Sequence, residues 1–431
     1  MDTLFTPYRL GNLELRNRTI RSAAFEAMCK NNRPTKELFD YHVAVAKGGI
    51  GMTTVSYAAV CESGLSFDTQ LLLRDEIIPD LRKLTDAIHA EGAKASIQLG
   101  HCGNMTHRRT CHCTPIGASG GFNLYSPTFY RTMTRKDIEE VAKAFGNATR
   151  ICIEAGFDAV EVHAGHGYLI SQFLSPYTNH RKDEFGGSLE NRMRFMKMCI
   201  GEVVKAAGDK IVVTAKLNTS DGFKGGQTSE ELIEVAKEMR KLGVQAITLS
   251  GGFVSRAPMH VMRGQFPVPV FVHYFPWRQW WLKLGVLVAG HIVSPTVPFR
   301  HLFFLEEAKK FQAAMPDFPF IYVGGVTSRE DADRVMEEGF PLLQMGRAVL
   351  EDTDFVNKMA ADKHHCSQCE HSNFCVGRMY SRSMQCHKNC VDITPAMERA
   401  VKRINRQNDR MERKLGYKKG YMLGYKSAIY K

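Results

Sequence analysis

Eight times along the chain a short apolar run of β type gives way to a longer segment with helical spacing, and this alternation restricts the fold more than any other feature. The runs lie at 18–22, 49–55, 93–99, 157–162, 211–217, 244–249, 320–324 and 341–345. Helix starts carry capping signals: Thr228 has Glu231 three residues on, Thr327 has Glu330, and Ser188 follows a Gly-Gly pair. After Ser188, the residues Leu189, Met193, Met196, Ile200 and Val203 recur at helical spacing, which predicts one buried stripe. Eight βα units are the number in a closed parallel (β/α)8 barrel of about 250 residues plus insertions. A doubly wound sheet would want a glycine-rich fingerprint after its first strand, and no GxGxxG opens a helix here. The expected fold is therefore α/β, a (β/α)8 TIM barrel over 1–360, followed by a cysteine-rich segment at 361–390 and a basic helical tail at 391–431.

With 431 residues, 44% of them apolar, such a core needs no staples. The start, MDTLFTPYRLGN, has no basic region leading into an apolar one, so a secretory signal is not expected. The longest apolar run, near 281–293, is interrupted by Lys283 and His291 and falls short of the roughly 20 residues that span a bilayer. A cytoplasmic protein is the expectation. The net charge of +12 is concentrated in the tail, where residues 391–431 hold 11 Lys/Arg against 4 Asp/Glu. A solvated or subunit-contacting helix explains that better than nucleic acid or acidic lipid, and a homo-oligomer is compatible with it.

In a barrel the active site lies where strands end and loops begin. The first two strand ends supply small residues, Ser22, Ala23 and Ala24, then Ser56 to Ala59 with Ala58 among them. The third supplies the amide Gln98, the fourth His163, His166 and Tyr168, the fifth the cation Lys216, and the sixth Ser250, Gly251 and Gly252. The last two give Gly324-Gly325 and Gly346-Arg347. Loops after strands seven and eight commonly bind phosphate through backbone N–H groups, and Arg347 adds a bidentate charge. Small residues, an amide and a cation on the other side suit a flat hydrogen-bonding ring, so FMN fits both ends. Long connections at 100–131 and 250–319 flank the site; the second includes HYFPWRQWWLKLGVLVAGHIV, expected to form an apolar wall or lid.

The run HAGHGYLISQFLSPYTNHRKDEFGGSLENRMRF resembles the signature of the Old Yellow Enzyme family of FMN-dependent ene-reductases. LFTPYRLGNLELRNRTIRSA is similar to that family's first strand, IQLGHCG to its third, and VGGVTSREDADRVMEEGFPLLQMGRAVLEDTDF to its last two units. The resemblance implies that Ser22, Ala23 and Ala24 lie against the flavin, that Gln98 bonds its pyrimidine edge, and that Lys216 replaces the usual arginine near the ring. Gly324, Gly325, Gly346 and Arg347 would hold the phosphate. His163 and His166 would bond a substrate carbonyl, with Tyr168 as proton donor. The implied reaction takes electrons from NADH or NADPH and reduces the C=C bond of an α,β-unsaturated carbonyl compound, a bulky apolar enone or enoate, by hydride transfer from flavin N5 and protonation by the tyrosine. Two N–H donors at i and i+3 would stabilise the enolate oxygen as it forms. A zinc reading of the same pair lacks third and fourth ligands nearby. Two rivals stand beside this: an amine or N-demethylating dehydrogenase, which would favour an aromatic cage over a histidine pair, and a flavin barrel acting on RNA through its tail, which lacks an RNA-binding module.

Three departures from the family pattern matter. Phe25 and Glu26 follow Ala24, where the family usually has Pro or Ala and then a small or polar residue, and the third-strand loop reads HCGNMTHRRTCHC, with Cys102, Cys111 and Cys113 among histidines. Larger relatives carry a [4Fe–4S] cluster after the barrel in a CxxCNxC-like run. Here the run is CSQCEHSNFCVGRMYSRSMQC, which places Ser372 at one ligand position and leaves Cys366, Cys369, Cys375 and Cys386 as the candidate set. Iron–sulfur, zinc and free thiols all remain open on the sequence.

Overall fold

The computed structural model describes residues 3–274 and 280–414. Eight parallel strands close into a barrel in chain order: β1 (Thr19–Arg21), β2 (Met52–Ala59), β3 (Lys94–Gly100), β4 (Ala159–His163), β5 (Val212–Asn218), β6 (Ala246–Ser250), β7 (Phe320–Val323) and β8 (Leu342–Met345). Each expected run overlaps one of them, and the second to sixth strands extend past the expected C-terminal ends, by four residues at β2 and by one at β3 to β6. The helices that follow are α1 (Lys36–Lys47), α2 (Ile78–Ala90), α3 (Arg135–Glu154), α4 (Leu189–Ala207), α5 (Ser229–Lys241), α6 (Leu305–Ala314), α7 (Arg329–Glu337) and α8 (Arg347–Glu351).

The helices form because their apolar stripes have the outer faces of the strands to cover. In α4, Met193, Met196, Ile200 and Val203 are buried, as the spacing predicts, and Leu189 packs at the edge. Ser188 caps α4 and Thr228 caps α5, each hydroxyl accepting a backbone N–H three residues on. At α7 the cap is Ser328, which accepts the N–H of Asp331, and not Thr327. Thr327 instead donates its hydroxyl to the Asp331 carboxylate. The N-terminal hairpin, Tyr8–Leu10 with Leu13–Leu15, plugs the far end of the barrel with Leu10, Leu13 and Leu15 against Ile20, Ala159 and Val212. Chemistry is thereby confined to the other end.

Register sets which side chains meet there. Glu161 pairs with Gln98 across β3 and β4, His163 with Lys216 across β4 and β5, and Lys216 with Thr248 across β5 and β6. The connection after β3 folds into a three-stranded flap, Ile116–Gly117, Gly121–Asn123 and Thr128–Thr132. The connection after β6 carries helices Val268–Tyr274 and Trp280–Val293. Of the apolar run quoted above, residues 275–279 lie outside the described residues.

Neither the cysteine-rich segment nor the tail stands apart from the barrel. Val270, Phe374, Cys390, Met397 and Val401 form one buried cluster, joining the β6 connection, the cysteine segment and the helix Pro395–Lys414. That helix is amphipathic, with Met397, Val401 and Ile404 buried and its basic residues outside. Residues 415–431, including Tyr417, Tyr421, Tyr425 and Tyr430, lie outside the described residues. Among the described residues no helix is long and apolar enough to cross a membrane.

Glu26, one of the departures noted above, turns inward. Its carboxylate lies 2.6 Å from the Arg21 guanidinium, with both side chains almost wholly buried, and accepts the N–H of Ser56 at 2.9 Å. Burial works against its ionisation, but Arg21, His42 and the Ser56 hydrogen bond together outweigh it and hold the carboxyl below its usual range. Removing one partner of a buried pair strands the other. Glu26→Ala is therefore expected to cost about 3–5 kcal/mol of stability in urea unfolding; a loss within the range of an exposed pair would show that water reaches Arg21.

Candidate active site

A cavity of about 1010 Å³ opens at the C-terminal ends of the strands. Ser22, Ala23, Ala24, Gln98, His163, His166, Tyr168, Lys216, Gly324, Gly325, Gly346 and Arg347 all line it. Ala58 does not: an irregularity in β2 between Val55 and Ala58 breaks the inward–outward alternation, so Tyr57 faces the cavity and Ala58 is buried behind it. Val286 and Gly290 of the helix Trp280–Val293 and Phe271 supply the apolar wall expected of that connection, and Leu124 reaches in from the flap.

Beneath the cavity floor lies a charged residue the strand pattern concealed. Glu161 is wholly buried and surrounded by donors: Gln98 Nε2 and Gln344 Nε2 at 2.7 Å each, Thr248 Oγ1 at 2.9 Å and Lys216 Nζ at 3.1 Å. Lys216 also donates to Ser22 Oγ at 3.2 Å. Burial would raise the Glu161 carboxyl, but Lys216 and the hydrogen bonds from Gln344 and Thr248 outweigh it and keep it below its usual range. The polar layer thus joins five strands and the end of a sixth. Gln344 Oε1, buried in the cavity lining, has no hydrogen-bond partner among the described residues, so it is an acceptor waiting for a donor on a bound molecule.

Above this layer His163, His166 and Tyr168 form one aromatic group. The His163 ring centroid lies 5.1 Å from that of His166 and 4.5 Å from that of Tyr168, and Tyr57 packs edge-on to Tyr168 at 4.9 Å. The turn is tight: His166 has φ +60° and Gly167 φ +78°, and a Cβ on Gly167 would sit 2.4 Å from the Phe253 ring. A histidine held in the left-handed region is uncommon and collects at functional sites. Asn218 Oδ1 accepts the His166 N–H at 3.0 Å, and Ser250 Oγ shares a 2.7 Å hydrogen bond with His166 Nε2.

The electrostatics of this group are uniform. Burial, reinforced by Lys216, pushes His163 well below the usual imidazole range, and burial with His163 and Lys216 does the same to His166. Both rings are neutral at physiological pH, each with one N–H to give. His163 Nδ1 accepts the Gly165 N–H at 3.4 Å, which leaves Nε2 to carry the proton. Burial also raises the Tyr168 phenol, so it stays protonated. Its hydroxyl has no hydrogen-bond partner among the described residues.

The opposite end of the cavity is a cradle of backbone and cation. A Cβ on Gly325, which has φ +78°, would lie 2.8 Å from the Leu302 nitrogen and 2.9 Å from the Arg300 carbonyl oxygen. Arg347 Nη1 donates to Asn373 Oδ1 at 3.1 Å, and its guanidinium lies over Phe299 at 5.6 Å. FMN fits this set: the glycines and Arg347 would hold its phosphate, while Gln98, Gln344 and Lys216 would meet the polar edge of its ring.

The four candidate metal-binding cysteines are not brought to one point. Cys369, Cys375 and Cys386 share a small recess beside Arg347 with Ser372 and His387. Cys366 lies elsewhere, bridged to Ser328 and in the field of Asp331 and Asp362. Burial pushes Cys375 up to about 12 and Cys386 up to about 11, so both are thiols. Three thiols are one short of a [4Fe–4S] set. Among the described residues no three His, Cys, Asp or Glu side chains are arranged to hold a metal ion. As it stands, the set does not fit the cluster.

Residues 3–297 match the NADH:flavin oxidoreductase / NADH oxidase family. The chain belongs to that family. It is an FMN-dependent NAD(P)H oxidoreductase. It is 35% identical over 380 residues to the 4,4'-dithiodibutanoate disulfide reductase of Rhodococcus erythropolis, a match covering 88% of this chain and 93% of that one. It is 29% identical over 383 residues to the NADH oxidase of Thermoanaerobacter brockii, covering 87% of this chain but only 53% of that longer protein. The fold is similar to that of the Old Yellow Enzyme homologue from Zymomonas mobilis, with a TM-score of 0.69 at 20% identity, covering 91% of this chain and 99% of that one.

Sequence reasoning passed over Glu161, Thr248, Gln344 and Tyr57. The signal for Glu161 was present as a carboxylate in a strand otherwise apolar from Ala159 to Val162.

The neutral histidines set a pH dependence. A histidine whose folded pKa lies below its unfolded one binds its proton more readily when unfolded, so acid favours the unfolded chain. His42, His163, His166 and His371 are all lowered by burial, and His101 falls to about 3. The melting temperature should hold above about pH 6.5 and fall as the pH drops below it. The NAD(P)H-dependent rate should show no ionisation near about 6.5, and a bell-shaped profile centred there would contradict the neutral pair.

Proposed function

We propose that this oxidoreductase reduces the C=C bond of α,β-unsaturated carbonyl compounds, with His163 and His166 binding the carbonyl oxygen and Tyr168 protonating the carbon. What carries the reading is one group of side chains, two neutral imidazoles and an unpartnered phenol hydroxyl, sharing an apolar-walled cavity. FMN, when bound, supplies the two electrons that NAD(P)H delivers.

The protein's part is polarisation and proton delivery. As the conjugated bond is reduced, the carbonyl oxygen takes up negative charge. Fixed N–H donors in a site shielded from water stabilise that charge without having to reorganise. His163 Nε2–H is available because Gly165 occupies its other nitrogen, and Ser250 holds the His166 ring in place. Buried Lys216 adds positive potential from below. Phe271 and Val286 exclude water and suit a bulky apolar body on the substrate.

Tyr168→Phe removes the proton donor and leaves the ring. Rapid-mixing measurements should find reduction of a cyclic enone slowed about 10²-fold or more, with flavin bleaching by NAD(P)H largely unchanged. Equal loss in both half-reactions would sink the role given to Tyr168.

A second reading has its own support in the Rhodococcus relative, whose name describes a disulfide reductase. Splitting a disulfide with NAD(P)H yields two thiols and protonates no carbon. Tyr168→Phe should then spare turnover of 4,4'-dithiodibutanoate while abolishing that of the enone, and kcat/KM for both compounds on one preparation ranks the two readings.

A further inference from the structure

The third-strand loop holds a feature that neither reading uses. The sulfurs of Cys111 and Cys113 lie 3.8 Å apart, near van der Waals contact and unbonded. Cys111 ends the short helix Arg108–Cys111 and is buried, whereas Cys113 is partly exposed. Between them His112 takes φ +52°, turning the chain so that both side chains fall on the same side. His107 and Thr110, on the same turn, line the cavity mouth.

We propose that Cys111 and Cys113 are a redox-active dithiol, closed to an intramolecular disulfide by hydroperoxides and reopened by thiols, and that closing it reshapes the cavity mouth. Bonding requires the sulfurs to approach from contact distance to about 2.05 Å. The movement falls on the turn that carries His107 and Thr110. A ring across a single intervening residue is tight, and strained, accessible disulfides are the easily reduced ones, suited to switching and not to stapling.

The chemistry balances. The Cys113 sulfur attacks the terminal oxygen of the hydroperoxide, breaking the O–O bond; it becomes a sulfenic acid and the other oxygen leaves as an alcohol, or as water when the oxidant is hydrogen peroxide. The Cys111 sulfur then displaces the hydroxyl from that sulfenic sulfur. The S–S bond forms, the thiol proton leaves with the hydroxyl as water, and the two thiols have together lost two electrons and two protons to the peroxide. Burial and the adjoining Cys111 push the Cys113 thiol up to about 12, with Arg131 pulling the other way, so the attacking thiolate is a small fraction that grows as the pH rises. Cys61 lies within electrostatic reach of Cys113 and is the competing partner.

The sequence offers a clean readout. Trypsin cuts after Arg109 and Arg131, and the peptide between them contains Cys111 and Cys113 and no other cysteine. The full-length, FMN-loaded protein is treated with one equivalent of hydrogen peroxide, alkylated under denaturing conditions and analysed by peptide mass. Reduced protein should take two labels on this peptide; oxidised protein should take none and lose two hydrogens, and dithiothreitol should restore both labels. KM of the NAD(P)H-dependent reaction should shift on oxidation and return on reduction, and in Cys113→Ser it should not respond. Two labels after peroxide, or this peptide cross-linked to the one carrying Cys61, would overturn the pairing. An unchanged KM in protein whose pair has closed would overturn its effect on the cavity.

Discussion

The site depends on burying one carboxylate. Glu161 sits inside the barrel with no access to water, a placement that costs several kcal/mol unless every lone pair is met. Lys216, Gln98, Thr248 and Gln344 meet them, and each comes from a different strand. A barrel that slipped by one residue between any two of these strands would turn a donor outward and leave the charge uncompensated. The polar layer therefore specifies register where the surrounding Val, Ile and Leu would tolerate repacking. It also fixes Lys216 Nζ, whose position determines the potential in the cavity above.

From that layer outward the site grades from charged to neutral to apolar. Lys216 is stabilised by Glu161 below it, and the same cation helps keep His163 and His166 neutral. Neutral imidazoles donate a hydrogen bond without releasing a full positive charge into the cavity, so they respond to charge that develops on a bound molecule. The apolar walls raise the strength of each such contact by keeping the local dielectric low. Tyr168 is subject to the same burial, which keeps its hydroxyl protonated.

Much of this architecture was legible in the sequence because barrels are built from local repeats. Period-two strands, period-3.6 helices and caps such as Ser188 and Thr228 each report on a few neighbouring residues, and eight of them in a row leave little freedom. The strand-end residues were legible for the same reason, since a barrel delivers its strand ends to one rim. Glu161 was not, because its partners lie 55 to 183 residues away and nothing near it announces them. Tyr57 and Ala58 exchanged places because a local irregularity in β2 breaks the alternation by which inward positions are counted. At Thr327 and Ser328 two adjacent hydroxyls compete for one cap, and the aspartate that accepts from the first also supplies its N–H to the second. The docking of the cysteine segment was hidden because it rests on contacts among Val270, Phe374 and Met397, three distant apolar residues of no distinctive pattern.

That docking has a consequence for how the protein comes to hold its cofactor. Cys369, His371, Asn373 and Cys375 roof the same end of the cavity that Gly324, Gly325 and Arg347 line, and Asn373 bonds Arg347 directly. The roof is made from residues that leave the ribosome after every barrel strand. A flavin phosphate held by Gly324, Gly325 and Arg347 would therefore lie beneath a segment that the barrel itself does not supply. Loosening the packing of Val270, Phe374 and Met397 would unroof that end of the cavity while leaving the eight strands in place.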